Sequence, residues 1–138
     1  RQCRHNLNYW TFGDYIGIGA GAHGKRRQSV RGPTRRQAKP RHPAAYLKAL
    51  RSPAPVGSNW RLTKEDLVLE FAMNALRLTA GFDRRLFPQS TGLDLELLEE
   101  PLNRGAEAGL LDLKGPWVRP TEQGRWFLND LLGHFMPD

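Results

Sequence analysis

From Tyr15 to Lys64 the chain carries no acidic side chain, fifty residues in which every formal charge is positive. Residues 1–60 hold twelve Lys/Arg and one acid, Asp14, whereas residues 61–138 hold nine Lys/Arg and thirteen Asp/Glu. The first part is therefore +11 and the second −4, an asymmetry hidden inside the overall +7. A block that cannot neutralise its own charge reads as an anion-facing or loosely folded arm rather than a self-contained domain. The second part, with acids and bases in balance, has no such handicap.

At 138 residues there is room for one domain, or one small domain plus a piece of another. Apolar residues at 39%, with 4 Trp, 6 Phe and 3 Tyr, are enough for a packed core. No window approaches 18 consecutive apolar residues, so no segment reads as membrane-spanning, and no signal peptide is visible. The single cysteine, Cys3, rules out an internal disulfide and any iron–sulfur or zinc cluster built from this chain's thiolates alone. A reducing, cytoplasmic setting is the expectation. Arg rather than Met at position one suggests a processed or truncated chain.

"DYIGIGAGAHG" (Asp14–Gly24) opens with a β-branched and aromatic run and then alternates with glycine. The pattern predicts a buried strand over Tyr15–Ile18 whose C-terminal end lets a ligand approach the backbone. The literal GxGxxG at Gly19, Gly21 and Gly24 lacks the amphipathic helix and the acid about 20 residues on that a dinucleotide site requires, so the nucleotide reading is rejected. Residues 25–41 carry eight basic groups and a Gly32-Pro33 turn signal, which predicts a ragged hairpin or loop. "HPAAYLKAL" predicts a short helix with Pro43 in its first turn, and "RSPAPVGSNW" reads as a linker. Beyond it, Thr63 and Asp66 form a variant capping box ahead of the stripe Val68, Phe71, Ala72 and Ala75, which Gly81 is expected to close. Leu95, Leu98, Leu102 and Ala106 predict a helix bent or interrupted at Pro101. Two apolar runs around Lys114-Gly115-Pro116 predict a β-hairpin. Thr121 then caps a last helix with Phe127, Leu128, Leu131, Leu132 and Phe135 on one face.

Taken in order, "RHNLNYW", "GDYIGIGAGAHGK", "EFAMNALRL", "TGL" and "TEQGRWFLNDLL" resemble the C-terminal portion of the HemW-type haem chaperones, relatives of the oxygen-independent coproporphyrinogen III oxidases. The resemblance covers essentially the whole chain. It implies a radical S-adenosyl-L-methionine protein whose upstream CxxxCxxC motif holds a [4Fe–4S] cluster. These residues lack that motif and Cys3 cannot replace it, so the expectation is a C-terminal fragment, inactive alone and with no catalytic residue of its own. The implied fold class is α+β. Residues 1–58 would be the terminal strands and basic loop of a partial (β/α) barrel, and residues 59–138 a mainly helical, winged-helix-like domain. Tyr15–Ile18 would be a late barrel strand, with Gly17, Ile18, Gly19 and Ala20 ending near the cofactor.

The tightest polar and aromatic cluster is Arg4–Trp10. A lone histidine is more often a hydrogen-bonded structural residue than a ligand. Here neutral imidazole suits haem iron, Tyr9 and Trp10 offer flat apolar faces, and Asn6 or Asn8 could orient the ring. The resemblance implies that His5, Asn6, Tyr9 and Trp10 match an HNxxYW motif associated with haem, which separates the chaperones from the oxidases. His5 is thus the expected iron ligand. His23 is expected to end the glycine strand facing a cavity, His42, before Pro43, to cap a helix, and His134, in a last helical turn, to be solvated. The basic segment 25–41 faces haem propionates, anionic lipid or nucleic acid, or is simply solvated, as charge runs usually are. The leading function is haem binding and delivery to an apo-protein acceptor, with the membrane surface as one setting. The alternative is a fragment of a coproporphyrinogen III oxidase. Nucleic-acid binding by the second half is disfavoured by its −4 charge.

Overall fold

A computed structural model describes residues 3–29 and 32–137, which form an α+β structure. In chain order the elements are α1 (Arg4–Trp10), β1 (His23–Arg27), β2 (Thr34–Ala38), α2 (Pro43–Leu50), β3 (Ser58–Arg61), α3 (Lys64–Ala75), β4 (Phe82–Asp83), α4 (Leu86–Thr91), α5 (Glu96–Glu107), β5 (Leu111–Lys114), β6 (Trp117–Pro120), α6 (Glu122–Trp126) and α7 (Leu128–Gly133). They gather into two compact units. One comprises residues 14–62; the other joins the described residues up to Gly13 to those from Thr63 onward. The chain therefore changes unit at Leu62–Thr63, a few residues beyond the break expected after residue 58, and α1 goes with the second half. Among the described residues no helix is long and apolar enough to cross a membrane.

The larger unit is built on α3. Thr63 Oγ1 accepts from the Asp66 N–H (3.1 Å) and the Asp66 carboxylate accepts from the Thr63 N–H (2.9 Å), the reciprocal cap that the spacing predicts. Glu65 and Asp66 add negative charge to the first turn, where the helix dipole favours it. Leu67, Val68, Phe71, Ala72 and Ala75 are buried. Phe71 meets Phe12, Phe82 and Phe87 edge-on, with centroids 5.8, 5.5 and 5.1 Å away. Such ring pairs add about 0.5–1.5 kcal/mol each beyond the area they bury. Leu98 and Leu102 of α5, Val118 of β6 and Leu131 of α7 complete a fully buried centre.

The antiparallel sheet runs β4–β6–β5, with Phe82 opposite Val118 and the expected hairpin turning at Gly115-Pro116. Three expectations here are corrected. Helix α3 ends at Ala75 rather than Gly81, which instead turns the chain into β4 with φ +83°. Helix α5 runs through Pro101 without interruption. The last helix is two: Thr121 caps α6, then Phe127 (φ −108°, ψ 47°) breaks the helical path before α7. That break turns Phe127 outward, so only Leu131 and Phe135 of the expected stripe are buried. Gly124 is required where α6 begins, because a Cβ there would stand 2.0 Å from the Leu110 carbonyl oxygen.

In the smaller unit β1 and β2 form an antiparallel hairpin, Lys25 opposite Arg36, as the turn signal predicts. Val30 and Arg31, between β1 and β2 in sequence, lie outside the described residues. Strand β3 joins the other edge of β2, so the supposed linker is partly sheet. Helix α2 starts with Pro43 as expected and buries none of its side chains. The buried strand expected over Tyr15–Ile18 is absent: Tyr15 makes a single bridge with Lys25, while Ile16 and Ile18 are 75% and 88% exposed. Glycine at every second position from Gly17 explains this. Gly19 (φ +102°) and Gly21 (φ +71°) adopt left-handed backbone, which curls the segment into turns instead of extending it.

Candidate functional site

Residues of the HNxxYW string form helix α1, an element that the sequence reading treated only as a cluster. At 3.6 residues per turn, His5, Asn6, Tyr9 and Trp10 fall within an arc of about 140° on one face. Asn6 is exposed, and Tyr9 and Trp10 are half-buried. His5 contributes its backbone to the helix; its side chain lies outside the described part of the structure. Asn8 has a different job, its carboxamide lying where a side chain on Gly13 would have to stand.

The end of α1 fixes its position in the larger unit. The Gly13 N–H donates to the Asn8 carbonyl (2.7 Å) and the Phe12 N–H to the Tyr9 carbonyl (2.9 Å), a Schellman pair. The left-handed residue that this motif needs is Phe12, φ +62°, where glycine is usual. In exchange for that strain, the Phe12 ring is driven inward, 3% exposed, against Phe71 of α3. Thr11 adds a hydroxyl bond to the Leu7 carbonyl (2.7 Å). Phe12 was missed as a functional support; the Thr-Phe-Gly that follows the motif was its only signal.

Gly17, Ile18, Gly19 and Ala20 belong to the smaller unit, in the curled segment before β1. The Lys39 ammonium donates to the Gly17 carbonyl (2.6 Å), and nothing lies within 4 Å of where a Cβ would stand on Gly19. Of the remaining histidines, His23 is exposed at the start of β1. His42 occupies the N-cap of α2 without a side-chain cap bond, so its expected capping is limited to the backbone position. His134 is half-buried at the end of α7, and its carbonyl accepts from Arg104 (2.7 Å).

The basic segment is ordered into a sheet with two unlike faces. Arg26 of β1 lies opposite Arg35 of β2, and Arg35 opposite Arg61 of β3, so three exposed guanidinium-bearing residues form one row across the strands. Gly24, Gln37 and Asn59 form the row beside it. On this face lies a cavity of about 630 Å³ lined by Ile16, Gly24, Arg26, Arg35, Gln37 and Asn59 among others. Lys25, on the opposite face, is 2% exposed with its ammonium 5.9 Å from the Tyr15 ring centre. Asp14 accepts from the backbone N–H of Arg27 (3.2 and 3.3 Å). Sequence reading found the charge but not the row, whose signal is the register across the Gly32-Pro33 turn.

Residues 62–127 match the family described as the HemN C-terminal domain. Over 137 residues, 99% of this chain, it is 39% identical to a heme chaperone HemW of Escherichia coli (strain K12), covering 35% of that protein. A heme chaperone HemW of Buchnera aphidicola subsp. Acyrthosiphon pisum is 35% identical over 135 residues, and one of Bacillus subtilis (strain 168) 30% identical over 141 residues. The chain thus spans about a third of the length of these relatives. Among solved structures, the coproporphyrinogen III oxidase HemN of Escherichia coli, described as a radical SAM enzyme, matches with TM-score 0.58 at 17% identity. That match covers 89% of this chain and 28% of the other, and at such identity it speaks for the fold alone.

Proposed function

We propose, from the match of residues 62–127 to the HemN C-terminal domain family, that the chain is the C-terminal portion of a HemW-type haem chaperone, with α1 as its haem-binding element. The observation that carries the proposal is the helical spacing of α1, which gathers His5, Asn6, Tyr9 and Trp10 onto one face. Haem asks for a nitrogen ligand beside flat apolar surface, and this face has both residue types in reach of each other. The residues fit the group. In this reading the His5 imidazole holds the iron, Asn6 orients that ring, and Tyr9 and Trp10 pack on the macrocycle. Haem supplies the bound iron and the cargo that an apo-protein acceptor receives.

The [4Fe–4S] cluster does not fit these residues: Cys3 is the chain's one cysteine, and among the described residues no group of three or more His, Cys, Asp or Glu could hold a metal ion. No step is therefore derived through the cluster or S-adenosyl-L-methionine. Within Gly17, Ile18, Gly19 and Ala20 the backbone is open at Gly19, which suits close approach by a cofactor, whereas Gly17 is packed against the His23 carbonyl. The helix, hairpin, helix order from α5 to α6 supports a winged-helix-like reading of the larger unit. The end of a partial barrel for residues 1–58 rests on likeness to the radical SAM enzyme. The oxidase alternative draws on that same likeness, which carries no residue-level argument.

Haem titration followed by Soret absorbance tests the proposal. His5→Ala should abolish the ligated spectrum and Trp10→Ala should weaken binding while the ligand field remains, whereas His23→Ala and His42→Ala should behave as wild type. Protons compete with iron for the imidazole nitrogen, so the wild-type spectrum should fade as pH is lowered. Wild-type behaviour of His5→Ala would sink the assignment.

A further inference from the structure

We propose that the open face of the β1–β2–β3 sheet binds a small molecule bearing two or more oxyanion groups, carboxylate or phosphate, through Arg26, Arg35 and Arg61 beside a recess lined by Gln37 and Asn59. The register sets the three arginines directly opposite one another. Strands lie ~4.8 Å apart, so the row spans about 10 Å. Like charges in such cross-strand pairs destabilise a sheet unless something neutralises them. Nothing in the unit's own composition does so: Asp14 is the single acid among residues 14–62, and it is engaged at the Arg27 backbone. Guanidinium is also the side-chain group whose planar fork matches carboxylate and phosphate oxygens two at a time.

A charged row alone would be an open surface. What makes it a site is the hollow beside it. In the row Gly24–Gln37–Asn59 the backbone of residues 15–17 lies against Gly24, and the cavity is lined by Gln37 and Asn59 together with Arg26 and Arg35. Gln37 is held in place by donating to the Val56 carbonyl (3.1 Å), Asn59 adds amide hydrogen-bonding capacity, and exposed Ile16 forms an apolar lip. A recess of about 630 Å³ lined mainly by polar side chains, with Ile16 as its aliphatic part, suits a compact, highly charged ligand better than an extended polymer. The site lies within one unit and requires nothing of α1.

Two probes distinguish the two sources of oxyanion: tripolyphosphate, and metal-free protoporphyrin beside its dimethyl ester. With no iron present, binding is blind to the role of His5. Calorimetry on the full chain should give one-to-one binding of at least one probe, and of protoporphyrin only as the free acid. Arg35→Glu and Arg61→Glu should each weaken it about tenfold or more, while Arg51→Glu beyond α2 changes it less than about twofold. The proposal falls if neither probe binds, or if Arg51→Glu matches Arg35→Glu. It also falls if the ester binds like the acid, or if duplex DNA displaces the probe and binds more tightly.

Discussion

Phe12 sits at φ +62°, a conformation that costs an L side chain roughly 1–2 kcal/mol, and its ring is nevertheless almost wholly buried. The two facts are one arrangement, since the left-handed turn ends α1 and aims the ring at Phe71. Phe12→Ala should cost about 3–5 kcal/mol, as for other large-to-small core changes. Glycine loses the same ring but adopts the backbone freely, so Phe12→Gly should be at least as stable as Phe12→Ala, the reverse of the usual order. Urea unfolding of the two variants decides it, and a clearly lower midpoint for glycine would mean that the turn relaxes once the ring is gone. None of this was legible in the sequence, where an aromatic before Gly13 looked like any loop residue.

Elements were readable where their signals were local. The Thr63–Asp66 cap, the turn at Gly115-Pro116 and the Pro43 start each depend on residues within a few positions, and each appears as expected. Helix α1 was not read as a helix because its N-cap, Cys3, offers no capping bond and its aromatic content suits a strand as well. Tyr15–Ile18 failed for the opposite reason: β-branched residues promised a strand, but a strand needs partners on its edges and the glycines bend it away. The short β4 was invisible, being two residues that pair with β6 far along the chain. Its corner is held by Asp83, whose carboxylate accepts from the Arg85 side chain (3.0 Å) and backbone N–H (2.9 Å). Those bonds lower the Asp83 pKa from the ordinary 3.8 to about 2. A depressed carboxyl stabilises the fold above its ordinary value and loses that contribution as pH falls from about 4 to about 2. Unfolding midpoints measured from pH 5 to 2 should therefore decline less steeply for Asp83→Asn than for wild type, by a small margin because the pair is at the surface.

At the scale of the whole molecule, each unit has its own pattern of burial. Helices α3 and α5 supply most of the larger unit's centre, whereas α2 buries nothing and the segment around Ile16 and Ile18 is open to solvent. Hydrogen exchange should accordingly be slowest at amides of Leu67–Ala75 and Leu98–Ala106 and fastest across residues 16–20, because local opening follows buried contact. Equal protection across the two would overturn that ordering. The division of the chain also has a temporal side. Phe12 precedes its partner Phe71 by 59 residues, with the whole smaller unit in between. At ~5–20 residues per second of synthesis, helix α1 emerges from the ribosome ~3–12 s before the surface that buries its anchor exists. During that interval an aromatic ring stands unshielded on a nascent chain, so the ribosome's pace, and whatever shelters the emerging segment, becomes part of how this fold is reached.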